Sequence, residues 1–325
     1  MHLEAVPHAH AAAFIGRSPW DVSRDPILLA DAHATAWRCY GHRMITPVIH
    51  PHVAEAEAWG LKLTPDESGE CLAARRRVLE RFEDLDTLPP LDPAAPPLQA
   101  LLTASSMLAR DVRDVVSVPV TGPFAIAEAL VGRAALLEAL ARRSAAFERT
   151  LCALVVKMDP WIIAIGRAGG KVAVHEADYD PGLVSPEAYG NAVVPALRGL
   201  AEAARRATHD APAILVDGDT AAIARHLCNC GAGYVACPES TSQTAFLAQI
   251  RQFPEVTVRV DLPRDLWEEK NWQAVCREIA ARAGFVRLHE RTILGTGPLP
   301  VHASSILVVD GCHFTTNMDP WIGSA

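Results

Sequence analysis

Short apolar runs alternate with long amphipathic stretches along most of the chain, and this alternation limits the folds available to it. The apolar runs have the length and the β-branched content of buried strands. In the second half of the chain, each run is followed by a stretch with helical periodicity before the next run begins. The predicted strands are 44–49, 115–120, 171–175, 213–216, 233–237, 256–260 and 284–288.

A succession of strand, helix and strand predicts parallel strands joined by right-handed crossovers. The helical segments between the later strands are 186–208, 220–230, 242–252 and 266–283. Five such units in a row favour a (β/α)8 TIM barrel with an N-terminal helical excursion, which ends at the proline-rich run LPPLDPAAPP. No G-x-G-x-x-G turn follows the early strands, which argues against a dinucleotide-binding sheet. We therefore predict one barrel domain over residues 1–325.

The composition argues against several classes of partner. The chain has 325 residues, of which 50% are hydrophobic, and its formal net charge is -8 at pH 7. A chain with this charge is not expected to bind nucleic acid or an anionic membrane. No run approaches the roughly 18 apolar residues that a bilayer span needs, and the first residues lack the pattern of a signal peptide. The eight cysteines are scattered, so we expect a cytoplasmic protein without a disulfide framework.

One stretch suggests zinc at first sight, because His226, Cys228 and Cys230 form a His-x-Cys-x-Cys pattern. Asp219 or Thr220 can cap the start of a helix and a glycine follows Cys230, so the stretch between them is predicted to be helical. Residues two apart on a helix point about 200° away from each other. The three side chains are therefore not expected to share an ion. We expect Cys230 in the core and Cys228 facing outward.

Several segments together resemble the uroporphyrinogen decarboxylase superfamily, which includes corrinoid- and thiol-linked methyltransferases. Their order and spacing match that family over residues 20 to 300. The resemblance implies a (β/α)8 barrel with an active site at the carboxyl ends of the strands. The segments are EAEAWG (55–60), FEDLDTLPPLDP (82–93), VTGPFAIAEALVG (120–132), GLVSPEAYGNAVVPAL (182–197), CGAGYVACPE (230–239) and ILGTGPLP (293–300).

The chain departs from the family where the resemblance implies metal or substrate contacts. The zinc methyltransferases carry a His-x-Cys pair at the end of the strand before the CGA helix, where this chain has Asp217-Gly218-Asp219. Their third ligand is a cysteine in a glycine-rich turn, which here reads Gly295-Thr296-Gly297. The porphyrinogen decarboxylase has a basic N-terminal segment and a catalytic Asp, where this chain has GRSPWDVSRD (16–25) and His50-Pro51-His52. A substrate with four carboxylates needs cationic side chains that these segments lack.

Polar side chains follow most of the predicted strands, at the end that carries the active site in such barrels. His175, Glu176 and Asp217 are the candidates for catalysis, because His and carboxylate groups from neighbouring strand ends suit general acid–base work. His175 and Glu176 face one pocket only if the chain turns there, since successive strand residues point to opposite faces. Asp219 and Asp261 are expected to cap helices. The predicted substrate-binding residues are His50, His52, Asp178, Cys237, Glu239, Thr296 and His302.

The resemblance makes a methyltransferase-like enzyme for a small polar substrate the first hypothesis, without the family's usual zinc site. A decarboxylase or other lyase for a small carboxylic acid, with Asp217 or Glu176 relaying the proton, is the alternative. A third hypothesis is a binding protein that kept the barrel and lost the chemistry. The sequence leaves open whether a divalent metal, a corrinoid partner or a homodimer is involved. The C-terminal stretch 310–325 is left open as a lid, a subunit contact or a tail.

Overall fold

Parallel strands form the centre of the fold. A computed structural model describes residues 2–65, 72–74, 77–112, 115–142, 145–268 and 271–317. The strands are β1 (Leu3–Val6), β2 (Met44–Ile45), β3 (Leu63–Pro65), β4 (Leu72–Ala74), β5 (Val115–Thr121), β6 (Lys171–Tyr179), β7 (Ala213–Gly218), β8 (Tyr234–Cys237), β9 (Thr257–Asp261) and β10 (Thr292–Pro298). Eight of them form a nearly closed parallel barrel in the order β1-β10-β9-β8-β7-β6-β5-β2. Strands β3 and β4 form a separate antiparallel pair.

Helices surround the barrel and cover its outer face. They are α1 (Pro19–Arg24), α2 (Pro26–Tyr40), α3 (Ala54–Ala58), α4 (Pro96–Asp111), α5 (Pro123–Val131), α6 (Arg133–Ala141), α7 (Ala145–Arg167), α8 (Pro186–Ala192), α9 (Val194–Thr208), α10 (Ala224–Asn229), α11 (Gln243–Ile250), α12 (Trp272–Ala283) and α13 (Ser305–Asn317). The predicted (β/α)8 TIM barrel with helices near its N-terminus is thus confirmed. Within the described ranges, no helix is long and apolar enough to cross a bilayer.

Local sequence explains where the helices begin. Proline occupies the first turn of α1, α2, α4, α5, α8 and α9, where the missing N–H has no helical partner to lose. The side chains of Ser18, Asp25 and Ser185 accept hydrogen bonds from first-turn N–H groups of α1, α2 and α8. Such caps satisfy donors that a helix leaves unpaired at its start.

Side chains alternate between two cores along each barrel strand. In β6, Val172 and Val174 pack against the surrounding helices. Ala173 lies between them in the sequence and faces the barrel interior with Ala213 and Leu215 of β7. This alternation decides which residues of a strand end reach the barrel mouth, meaning the opening at the carboxyl ends of the strands.

The barrel has a seam between β1 and β2, which are not paired with each other in the described sheet. The buried carboxylate of Glu4 bridges this seam. It accepts hydrogen bonds from the backbone N–H groups of Arg43 (3.1 Å) and Met44 (2.7 Å) and lies 3.2 Å from His2 Nε2. Burial acts to raise the pKa of Glu4, but these hydrogen bonds and the nearby His42 lower it overall. A carboxylate therefore takes the place of a strand carbonyl at the seam.

The structure corrects the strand predictions at both ends of the chain. Residues 284–288, predicted as a strand, form the 3-10 helix Gly284–Arg287 after α12. The last barrel strand is β10, and it contains the glycine-rich run predicted as a turn. Gly295 is required there, because a Cβ would lie 2.5 Å from the Arg259 side chain. Strand β1 is absent from the prediction because four residues that include a glutamate are too few to show a period.

The His-x-Cys-x-Cys stretch is helical as predicted, as a 3-10 turn (Ala221–Ile223) followed by α10. The prediction for Cys228 is wrong: its side chain is 4% exposed. The physical reason is that α10 packs against both α9 and α11, so two sides of this helix are covered. Cys230 is buried as expected, with its thiol 3.8 Å from the carbonyl oxygen of Val194.

Asp219 and Asp261 do not cap the helices that follow them. The Asp219 carboxylate accepts a hydrogen bond from the Thr241 hydroxyl (2.8 Å), and that hydroxyl oxygen accepts one from the N–H of Ala221 (2.8 Å). The N–H of Ala221 therefore donates to a threonine 22 residues after Asp219 rather than to Asp219 itself. Asp261 is 2% exposed and pairs with Arg259 inside the barrel.

The C-terminal stretch begins as a helix rather than as an irregular tail. Helix α13 packs against β1 and α12, and the Cys312 thiol lies 3.8 Å from the carbonyl oxygen of Leu3. Residues 318–325 lie outside the described residues, so the three alternatives for the final segment stay open.

Candidate active site at the barrel mouth

Three histidine rings meet at the barrel mouth. His175 of β6 is placed in the strand register between Thr121 of β5 and Leu215 of β7. Its ring centroid lies 5.7 Å from that of His8 and 6.2 Å from that of His52. The His175 side chain is buried, and its Nε2 has no hydrogen-bond partner in the described part of the chain. The predicted catalytic histidine thus faces two other histidines with one polar atom unsatisfied.

His8 reaches this cluster from the segment that follows β1. Its backbone φ is 35°, a left-handed conformation that residues other than glycine rarely adopt. Strained backbone of this kind concentrates at functional sites, where the surrounding structure holds it in place. His8 is absent from the sequence prediction because β1 is absent from it. The available signal was a histidine directly after the apolar end of that strand, in VPHAHAAAF.

Burial keeps the three imidazoles neutral. It lowers the pKa of His175 well below its usual 6.5, and the neighbouring His8, His52 and Arg259 lower it further. Burial lowers the pKa of His8 to about 3, and the neighbouring His33 and Arg259 act in the same direction. The pKa of His52 is also lowered by burial, although Asp178 opposes the shift. A neutral imidazole has one N–H donor and one lone pair, so each ring can donate to or accept from a bound molecule.

Asp217 stands at the end of β7, beside an irregularity in its pairing with β6. Burial raises the pKa of Asp217 to about 6, and the carboxylates of Asp261 and Asp178 add to this while Arg259 opposes it. A carboxyl group with such a pKa exchanges protons close to neutral pH. Asp217 and His175 both interact electrostatically with Arg259.

Arg259 and Asp261 form a buried ion pair on β9. Arg259 donates from Nε and Nη2 to the two carboxylate oxygens of Asp261, at 2.6 and 2.9 Å. Burial acts to lower the pKa of Arg259, but Asp261 and Tyr234 raise it overall, so Arg259 stays charged. Such a two-point pair is geometrically specific. Arg259 was not predicted, although a charged residue within the apolar run VTVRVD is itself an unusual feature.

Glu176 serves a different part of the structure. Strand β6 continues to Tyr179 without a turn at His175, so Glu176 points to the opposite face from its neighbour. Its carboxylate accepts hydrogen bonds from the N–H groups of Phe124 (3.2 Å), Ala125 (2.6 Å) and Ala177 (2.8 Å). Burial raises the pKa of Glu176 to about 7, although these bonds act against the rise. Glu176 therefore caps α5, and the structure does not bring it together with His175.

Gly122 makes room for this cap. A Cβ at Gly122 would lie 2.5 Å from Oε2 of Glu176. The glycine before α5 and the glutamate on β6 therefore form one structural unit, in which the carboxylate replaces the capping side chain that glycine lacks.

Glu55 fixes the loop between β2 and α3, which carries two of the predicted histidines. It accepts hydrogen bonds from the N–H of Thr121 (3.0 Å), from Trp161 Nε1 (3.2 Å) and from the Thr121 hydroxyl. Thr121 Oγ1 also lies 3.3 Å from the carbonyl oxygen of Pro51. Burial raises the pKa of Glu55 although these bonds oppose it. His50, in the same loop, lines a small cavity of about 30 Å³, which has room for about one water.

A cleft of about 290 Å³ opens beside His52. Its lining includes the apolar residues Leu61, Leu63 and Ala129, the last on α5, together with Asp178. Small-molecule sites are concave, mostly apolar and provided with a few polar groups, at volumes from about 300 Å³ upward. The structure therefore brings two predicted substrate-binding residues, His52 and Asp178, to one cleft.

The remaining predicted residues do not join this cluster. Cys237 is fully buried on the helix-facing side of β8, and the Thr296 hydroxyl is used in hydrogen bonds to the backbone of β1 and β10. Strand alternation turns both away from the mouth. Glu239 is exposed and accepts a hydrogen bond from the N–H of Arg264 at 3.0 Å. His302 is exposed as well.

The described residues contain no group of three or more His, Cys, Asp or Glu side chains arranged to hold a metal ion. The positions where the resemblance implied zinc ligands are occupied by Asp217 and by Gly295-Thr296-Gly297, and neither supplies a thiolate. The residues at these positions do not fit the zinc site that the resemblance implies.

Comparisons with known proteins agree with this architecture. The family model described as uroporphyrinogen decarboxylase (URO-D) matches residues 5–257. No curated protein sequence matches the chain. A solved structure of a methyltransferase from Methanosarcina mazei has a similar fold, with a TM-score of 0.79 at 14% identity over 97% of this chain and 91% of that one. Because the family model covers most of its length, the chain belongs to the uroporphyrinogen decarboxylase family.

Proposed function

We propose that this chain is a methyltransferase-like enzyme in which a neutral histidine, His175, takes the proton of the methyl acceptor. The observation that supports the proposal is the buried Nε2 of His175, which lacks a hydrogen-bond partner among the described residues. A buried polar atom without a partner is costly. A small polar substrate that supplies a hydrogen bond at this atom would therefore be stabilised in the barrel mouth.

The proposed step balances with the chain's own residues. The acceptor, X–H, attacks the methyl carbon, and the X–C bond forms while the bond between that carbon and its donor atom breaks. The electron pair of the broken bond leaves with the donor. The proton of X–H moves to Nε2 of His175, and ionised Asp217 stabilises the imidazolium before the proton passes to solvent.

Decarboxylation of a small carboxylic acid is the second candidate, and one observation favours it. The pKa of Asp217 is raised to about 6, so this residue holds a proton for part of the time near neutral pH. In that reaction carbon dioxide leaves, and Asp217 protonates the resulting carbanion. Glu176 is not used as the relay, because its oxygens already cap α5.

A panel assay separates the two candidates. Methylcobalamin and sulfonium and quaternary ammonium salts, each with a ¹³C-labelled methyl group, are offered together with small thiols, and methyl transfer is followed by NMR. Small carboxylic acids are tested in parallel for release of carbon dioxide. His175→Gln is compared with His226→Gln, the same change on α10 away from the mouth.

The expected result is methyl transfer by the wild type, a fall in kcat of about 10²–10⁴-fold in His175→Gln, as for loss of a general base, and little change in His226→Gln. Carbon dioxide release without methyl transfer would contradict the methyltransferase proposal and support the lyase. Equal activity of the two variants would remove His175 from the mechanism. A corrinoid partner protein and a homodimer stay proposals, and a response to methylcobalamin would favour the former.

A further inference from the structure

The cleft beside His52 is distinguished by its charge. Arg133 pairs with Glu128 through a 2.7 Å contact, and it also faces Asp178 and Asp180 electrostatically. Among the described residues that line the cleft, Arg133 is therefore already paired with Glu128, and Asp178 supplies a second carboxylate. Burial lowers the pKa of His52 and raises that of Asp217, and the negative charge of Asp178 acts to raise both.

The imidazoles of His52 and of its neighbour His175 do not offset this charge. His52 lines the cleft and contacts His175, and burial keeps both rings neutral. His175 contacts His52 without lining the cleft itself; it is 4% exposed, and its Nε2 has no hydrogen-bond partner among the described residues. The buried cation Arg259 already forms an ion pair with Asp261.

We infer that the cleft binds a small organic cation, an ammonium or a sulfonium with short apolar substituents, with its charge at Asp178 and its apolar part against Leu61, Leu63 and Ala129. The inference rests on the proposed function, in which this molecule is the methyl donor. Positive charge on the donor atom fits that role, since the donor then leaves as a neutral molecule. The same carboxylates repel an anion of equal size, which makes a carboxylic acid a poor ligand for the cleft.

Three probes of nearly the same shape test the charge alone. They are choline, its neutral isostere 3,3-dimethylbutan-1-ol, and 3,3-dimethylbutanoate, and their binding to the full chain is measured by calorimetry at low ionic strength. The variants are Asp178→Asn and the control Asp111→Asn, which removes an exposed carboxylate at the end of α4. Circular dichroism confirms that each variant is folded.

Choline is expected to bind about two- to fivefold more tightly than the alcohol, the range for a partly exposed ion pair, and the acid most weakly. This preference is expected to disappear in Asp178→Asn and to persist in Asp111→Asn. Equal binding of choline and the alcohol, stronger binding of the acid, or an unchanged preference in Asp178→Asn would overturn the inference. Cation preference without methyl transfer from any donor would leave the cleft assignment standing and refute the proposed function. Methyl transfer from neutral donors without cation preference would support the proposed function and refute the cleft assignment.

Discussion

Replacing Glu176 by glutamine should change the pH dependence of stability in a way that the structure specifies. The carboxyl is 1% exposed, and burial raises its pKa from 4.5 to about 7. Between these values the folded chain holds the proton and the unfolded chain does not. The free energy of unfolding contributed by Glu176 therefore falls as pH rises through this interval, by roughly 3 kcal/mol in total.

Glutamine removes this titration. Its single oxygen can still accept from Ala125 and Ala177, whereas its amide group faces the N–H of Phe124, a mismatch that costs about 1–3 kcal/mol at every pH. The difference in unfolding free energy, Glu176→Gln minus wild type, should therefore rise by roughly 3 kcal/mol between pH 4.5 and pH 8.

Urea denaturation at matched ionic strength measures this difference at four pH values, and Glu202→Gln on the exposed face of α9 is the control. Subtracting the wild type cancels the contributions of the buried histidines and of Asp217, which also titrate in this range. A difference that stays constant with pH would contradict this prediction, because Glu176 would then be ionised in both the folded and the unfolded state.

Three further changes have defined outcomes. His8→Gly should be more stable than His8→Ala by about 1 kcal/mol in thermal unfolding, because only glycine adopts a φ of 35° without strain; equal stabilities would contradict this. Glu4→Gln should lower the free energy of unfolding by about 1–3 kcal/mol at pH 7. The pKa of Glu4 is lowered in the folded chain, so the wild type loses its stability advantage over the variant as pH falls below 4.5 and through the folded pKa. A difference in unfolding free energy that does not change with pH would contradict the role of Glu4 at the seam. Cys228→Ala should cost about 1 kcal/mol and leave any bound metal unchanged, and loss of metal would show that the helix assignment is wrong.

The barrel could be predicted because each central strand carries its own signal. In β5 and β7, uninterrupted runs such as VVSVPV and AILV match strands buried on both faces. The terminal strands lack that signal: β1 is four residues long and includes Glu4, and β10 contains Gly295 and Gly297. Their strand conformation comes from pairing with each other and with β9, which are contacts that no local pattern contains.

The candidate site was predictable only in part for a related reason. His175 and Asp217 could be placed by counting to the ends of predicted strands. Glu176 could not be assigned to the α5 cap from sequence, because its partners lie about 50 residues earlier. Cys228 was predicted to face outward because helical geometry gives the direction of a side chain but not which neighbouring elements cover it. In the structure, α9 and α11 cover two sides of α10.

The most direct test of the proposed site is an experimental structure with a methyl acceptor or a product bound. We predict a ligand atom within about 3.2 Å of Nε2 of His175, the range of a hydrogen bond, with the remainder of the molecule extending toward Asp217 or into the cleft beside His52. A ligand bound elsewhere, beyond hydrogen-bond distance from both His175 and Asp217, would contradict it.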